Sequence, residues 1–383
     1  MHIERFLHKL LSPVTHLKRL STISLVVETA IKSKKMSLTT LGRLLPLPIQ
    51  ERSGIKRVDR LLGNKKLHKE RASIYQVCAS FLLANDKCPR IIVDWSQIPN
   101  TNSYVLRAAV AATGRALTLY EEVYPEALLG NQSIQKTFLK NLYDILPFHV
   151  NPIIITDAGF YNDWFKAVAQ LGWDYIGRIR GNYSYYNDHT WKKCLDSFKI
   201  ATINPVCLGL VTLCKSNSFD THLYLIKEEL KKHRKHRNNK NSGSNKDSYQ
   251  KAAMDPWLLA SSLIYPETPE IVINYYRERM QIEEGFRDLK SAQYGLSFEH
   301  ASSKKIERIQ ILLMLAMLAS LIAYVTGLAA ENENLHYQFQ ANTIKHRRVL
   351  SFFFLGCRVI ARKIKIPIEA LENAMLEVQN YAI

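Results

Sequence analysis

The sequence predicts an α/β fold: a mixed sheet with a β-rich insertion and helical regions at both ends. Three observations predict it. Between residues 90 and 180, β-branched runs alternate with helical periodicities in the order β-β-β-α-β-α-β. Two of these runs lead directly into an aspartate, Asp94 and Asp157. The segments on either side are helical in pattern and rich in lysine and arginine.

At 383 residues the chain is long enough for two or three domains. It is 47% hydrophobic and carries a formal net charge of +18. Such a charge calls for a polyanion, with nucleic acid the first candidate and an anionic membrane surface the second. The six cysteines are scattered, with no C-x-x-C pair and no zinc spacing. They read as reduced thiols of a cytosolic protein. No signal peptide is evident, because the apolar patch Ile23–Val27 is short and broken by Glu28.

Residues 1–88 form a basic helical region. Ser37–Leu45 can start on a Ser or Thr cap and stops at Pro46 and Pro48. A second helix from Gly54 places Ile55, Val58 and Leu62 on one face and Lys56, Arg57 and Arg60 elsewhere. Either a helix-turn-helix-like DNA-binding module or a generic basic bundle fits this pattern.

The core region is assigned to 89–330. Ile91–Val93, Tyr104–Ala112 and Arg115–Tyr124 read as a three-stranded meander turning at Thr113-Gly114. Ile134–Leu146 is helical, Pro152–Thr156 a buried strand, Phe160–Leu171 a helix and Trp173–Ile179 a fifth strand. Asp94 and Asp157 then sit at equivalent strand ends. Each alone is an ordinary turn former.

Residues 181–265 read as an insertion with strands at Pro205–Leu213, Thr221–Ile226 and Trp257–Leu263. Its loop at 227–248 is polar and strongly cationic, suited to non-specific phosphate attraction. Tyr276–Lys290 reads as one amphipathic helix. At about 100° per residue, Tyr276, Arg279, Glu283, Arg287 and Lys290 gather beside an apolar stripe of Ile282, Phe286 and Leu289. A carboxylate ringed by cations suits a metal ligand beside phosphates, and a solvated face with an Arg279–Glu283 pair fits as well. The apolar run 311–330 has the length of a membrane span but reads as a buried core helix. A helical C-terminal region, 331–383, carries His346-Arg347-Arg348 and is a candidate for dimerisation.

The spacing Y-x2-R-x3-E-x6-K, met by Tyr276, Arg279, Glu283 and Lys290, resembles the signature of bacterial insertion-sequence transposases. The stretches 55–71, 93–96 (VDWS), 157–160 (DAGF), 178–181 (RIRG), 279–296 and 340–343 (QANT) resemble the Tn-ten branch in particular, and the Tn-five enzyme more distantly. The resemblance implies an RNase H-like mixed-sheet catalytic core with a β-rich insertion, a helical N-terminal DNA-binding domain and a DDE triad of Asp94, Asp157 and Glu283. It implies two Mg²⁺ ions per site, replaceable by Mn²⁺, held by those three carboxylates.

It further implies DNA contacts from Tyr276, Arg279 and Lys290, and a Trp257 that stacks on a flipped base. Arg178, Arg180 and Arg287, with Lys56, Arg57 and Arg60, are candidate DNA-backbone contacts. The expected partners are double-stranded DNA, as terminal inverted repeats and as target, and a second copy in a synaptic homodimer. No membrane is expected, and the location is the bacterial cytoplasm at the nucleoid. The expected activity is cut-and-paste transposition through a hairpin intermediate. A simple RNase H-like nuclease and an inactive DNA-binding remnant or repressor are the alternatives.

Overall fold

A computed structural model describes residues 3–228, 255–341 and 343–380. The basic loop read at 227–248 lies outside the described residues from 229 onward. The chain divides into two compact units, 1–150 with 280–383, and 151–279.

The first unit opens with five helices: α1 (Ile3–Leu11), α2 (Leu17–Ser33), α3 (Leu38–Arg43), α4 (Glu51–Leu62) and α5 (Lys65–Leu82). The Ser37 hydroxyl caps α3 by accepting from the Thr40 amide at 3.2 Å. The second basic helix starts at Glu51, three residues before the Gly54 expected from the apolar pattern. Its first turn is Glu-Arg-Ser, with no apolar residue to mark it.

The meander follows as β1 (Arg90–Gln97), β2 (Ser103–Ala112) and β3 (Arg115–Pro125), antiparallel throughout, and then α6 (Gln132–Ile145). β1 runs on three residues beyond Asp94, so that aspartate lies within the strand rather than at its end. Pairing with β2 continues through Trp95, Ser96 and Gln97 after the apolar run has ceased.

The unit resumes, after the second unit, in four α-helices. They are α10 (Met280–Lys290), α11 (Ile306–Asn332), α12 (Phe352–Ala361) and α13 (Ile368–Gln379). α11 is the apolar run. Its most apolar window is 94% buried, among α2, α5, α12, α13 and β3. It is long and apolar enough to cross a membrane, and here it is the core of the unit. Side chains are excluded where it meets α12. A Cβ on Gly327 would lie 1.9 Å from the Phe352 carbonyl oxygen, and one on Gly356 would lie 1.8 Å from that of Ala323.

The second unit holds β4 (Ile153–Thr156), α7 (Asn162–Gln170), β5 (Asp174–Ile179), β6 (Ser184–Asn187), β7 (Thr190–Lys193) and α8 (Cys194–Ser197). It continues through β8 (Val206–Leu213), β9 (Phe219–Ile226), β10 (Trp257–Ser261) and α9 (Glu270–Arg277). Strand order is β4-β5-β10-β9-β8-β6-β7. β4 and β5 are parallel and the other pairs antiparallel. The stretch 181–265 thus extends the sheet directly from β5. Its β6–β7 hairpin was not legible, because Ser-Tyr-Tyr-Asn and Thr-Trp-Lys-Lys lack apolar alternation.

The single helix expected over 276–290 is two helices. α9 ends at Arg277, and Glu278 and Arg279 form a turn before α10 begins at Met280. In that turn the amides of Glu278 and Arg279 donate to Tyr275 and Tyr276, at 3.2 and 3.0 Å. These are i→i−3 bonds, tighter than α, and they close α9 before α10 begins.

Candidate active site

Within the first unit the site is built on a charged row. Asp94 of β1 lies opposite Arg107 of β2, and Arg107 lies opposite Glu121 of β3. Paired residues share a sheet face. Arg107 Nε donates to Glu121 Oε2 at 2.8 Å, and its Nη2 lies 2.6 Å from the same oxygen. The Tyr75 hydroxyl donates to the other Glu121 oxygen at 3.2 Å. Burial, and then the Glu121 charge, push the Tyr75 phenol well up. Both Arg107 and Glu121 are buried, a placement that charges tolerate only when paired and hydrogen-bonded.

Helix α10 lies over this row. The Arg107 guanidinium sits 4.6 Å from the Phe286 ring centroid. The Ala112 amide, at the end of β2, donates to Gln281 Oε1 at 3.0 Å, and Arg115 Nε donates to Asp288 Oδ2 at 2.6 Å. Burial raises the Asp288 carboxyl above the usual carboxylate range, against the Arg115 bond. The last residue, Lys290, donates from Nζ to Ser96 Oγ at 2.7 Å. Ser96 is two residues from Asp94 on the same face.

Burial and then the Arg107 charge lower the Lys290 ammonium to about 8, while the Asp94 carboxylate raises it. Glu283 is exposed in the first turn of α10. It lies on the Lys290 side of the helix, about 10 Å along the axis. Arg287 is exposed and ion-paired with Glu284.

Asp157 directly follows β4 in the second unit and is half-buried. Its Oδ1 accepts from the Gly159 amide at 2.8 Å, an Asx-type turn. A Cβ on Gly159 would approach that oxygen to 2.9 Å, so the turn favours glycine. Asp94 Oδ1 similarly accepts from the Trp95 amide at 2.8 Å.

Tyr276 is 3% exposed and packs edge-on against Trp257, with ring centroids 5.0 Å apart. It is a buried aromatic of α9, not a member of the polar stripe expected for it. Arg279 lies half-buried in the turn. Arg178 Nη2 donates to the Asp255 carbonyl at 3.3 Å and Arg180 Nε to the Ala158 carbonyl at 3.1 Å. In the first unit, Arg57 and Arg60 line an open groove of about 400 Å³ with Lys18, Arg19 and Lys66, while Lys56 stands exposed outside it.

Sequence reasoning missed Arg107 and Glu121. Their signal was available: one charge, Arg107, inside the apolar strand YVLRAAVAA, and the pair Glu121-Glu122 inside LTLYEEV. The donor chemistry of Asp94, Asp157 and Glu283 fits Mg²⁺, which prefers hard oxygen ligands. Among the described residues, no three Asp, Glu, His or Cys side chains are gathered into a group that could hold a metal ion.

A search of the curated proteins finds no match. The family described as the transposase DDE domain matches residues 126–322, just over half of the 383 residues. The match spans Asp157 and Glu283 and begins after the strand that carries Asp94. With this extent of match, the chain belongs to the transposase DDE-domain family.

Proposed function

We propose that this chain is a cut-and-paste DNA transposase with an RNase H-like core, whose reacting groups are the carboxylates of Asp94, Asp157 and Glu283. The observation that carries the proposal is the seating of α10. Its last residue is tied to β1 beside Asp94, and Glu283 stands on the same side of the helix two turns earlier. The family match covers this helix.

In this reading the carboxylates of Asp94, Asp157 and Glu283 would hold Mg²⁺ ions, which would supply an activated water at neutral pH and neutralise charge developing on phosphate oxygens. The chain's own residues position the DNA. Lys290 presents an ammonium beside Asp94 for a backbone phosphate, and Arg279 presents a guanidinium from the turn. Tyr276 braces the Trp257 indole, which stacks on a base flipped from the duplex. Arg178, Arg180 and Arg287 add phosphate contacts. Lys56, Arg57 and Arg60 hold the terminal repeat.

The substrate is double-stranded DNA at insertion-sequence ends. Water cleaves one strand at the element's end; the 3′-OH so freed attacks the phosphodiester of the opposite strand, closing a hairpin and displacing the flanking DNA's 3′-OH, and water then hydrolyses the hairpin. The freed 3′-OH then joins target DNA. Two copies act together in the bacterial cytoplasm. The test is Mg²⁺-dependent nicking of DNA carrying the element's inverted repeats. Glu283→Ala should cut the rate at least about a hundredfold, as expected for loss of a metal ligand. Its melting temperature should hold, because Glu283 is exposed. Undiminished nicking by the variant would sink the assignment.

A further inference from the structure

One face of the second unit's sheet is covered near its middle and bare toward its outer edge. The register traces it. Arg178 lies opposite Leu259, and Leu259 opposite Tyr224. Trp257 lies opposite Ile226, His222 opposite Leu210, and Asp220 opposite Thr212. Thr212 lies opposite Tyr186, which faces Trp191 across the β6–β7 hairpin. Paired and alternate residues share a face. Arg178, Trp257, His222, Leu210, Tyr186 and Trp191 therefore lie on one side. From Trp257 to Trp191 is four strand spacings, about 19 Å.

The opposite side is closed by α7, whose Phe165 packs on Tyr175 and Phe219. On the near side α9 packs on β5 and β9, and its Tyr276 meets Trp257 of β10, near Tyr224, which is fully buried. Beyond it Leu210 is 61% exposed, Trp191 39% and Tyr186 38%. The Tyr186 and Trp191 rings are 5.5 Å apart. Lys215 Nζ lies 5.3 Å from the Trp191 ring centroid, and Lys193 and Lys215 are exposed. The nearby carboxylates are engaged: Asp188 pairs with Lys192 at 2.9 Å, and Asp220 accepts from the Thr212 hydroxyl at 2.7 Å.

Flat exposed aromatics among lysines on an open sheet, in a chain of net charge +18, match a base-stacking platform for a polyanion. We propose that this face binds an unpaired stretch of a DNA strand, with bases stacked on Tyr186 and Trp191 and phosphates at Lys193 and Lys215. The proposal rests on the reading of the chain as a DNA-processing transposase, and it adds a surface beyond Trp257 that would hold the strand released when the duplex is opened.

The experiment uses the full chain and a single-stranded oligothymidylate carrying 5-iodouracil. Irradiation should give adducts on Tyr186 or Trp191, located by mass spectrometry. The double variant Tyr186→Ala, Trp191→Ala should bind the oligonucleotide about tenfold more weakly, within the range for loss of base stacking. Adducts confined to other residues, or binding by the double variant within about twofold of wild type, overturn the proposal, since stacking is worth more than that. Unchanged oligonucleotide binding with a dimer-to-monomer shift in sedimentation would also overturn it and give the face to a second copy. A wild type that never nicks repeat DNA, yet loses oligothymidylate binding in the double variant, defeats the transposase reading and leaves this one standing.

Discussion

The Lys290 ammonium reaches the Ser96 hydroxyl across 2.7 Å, joining the last turn of α10 to the strand that carries Asp94. This contact links residues 194 positions apart in the chain. It gives Lys290 a fixed place that the helical pattern alone could not assign.

That place has a pH consequence. Burial, and secondarily Arg107, bring the folded-state pKa of Lys290 down to about 8 from an ordinary 10.5. The unfolded chain therefore holds the proton more tightly than the folded one between those values. The penalty for burying the cation is fully present below about pH 8 and is relieved as pH rises toward 10.5. The wild type should gain melting temperature relative to Lys290→Met across that window. Parallel pH curves for the two proteins would contradict it.

The Arg107–Glu121 pair predicts a strongly asymmetric mutational response. Arg107→Met leaves the buried Glu121 carboxylate with the Tyr75 hydroxyl as its remaining side-chain hydrogen bond in this network, and should cost about 3–5 kcal/mol. Replacing both members by apolar residues should restore most of that loss. Denaturant melts of the single and double variants measure it. A loss below about 1 kcal/mol for Arg107→Met would mean the carboxylate finds water or another partner.

Gly356→Ala tests the closest helix crossing. The added methyl meets the Ala323 carbonyl oxygen at 1.8 Å, so α11 and α12 must move apart. Overpacking of this kind costs about 1–3 kcal/mol. Thermal unfolding reads it directly, and a neutral result would show that α12 can slide without penalty.

How much of this was legible in the sequence follows from the physics of each signal. The meander was readable because β-branched runs flank Thr113-Gly114, and Gly114 does adopt a left-handed φ of +73°. Asp157 was readable because its strand stops where the apolar run stops. Asp94 was misplaced because β1 continues through Trp-Ser-Gln, where backbone pairing persists without an apolar signal. The polar stripe at 276–290 was drawn on a constant rotation per residue, and two i→i−3 bonds break that constancy before Glu283. Within α10 the pattern survives: Ile282, Phe286 and Leu289 are buried and Glu283 and Arg287 exposed. Ser96 as the Lys290 partner and Arg107 as the brace under Phe286 depend on contacts distant in sequence, which local periodicity does not encode.

The long apolar helix α11 also sets the order in which the chain can mature. Helices α2, α4 and α5 and strand β3 are translated first, yet the apolar side chains they turn inward rest on residues 306–332. A ribosome must release roughly four-fifths of the polypeptide before that surface has anything to close upon. Non-local contacts of this kind make folding slow and leave apolar surface uncovered in the interval. A prematurely terminated product lacking residues 306–332 would retain the basic helices and the strand bearing Asp94 without the element that holds them together. Such a fragment would be a substrate for proteases and aggregation rather than a smaller working protein.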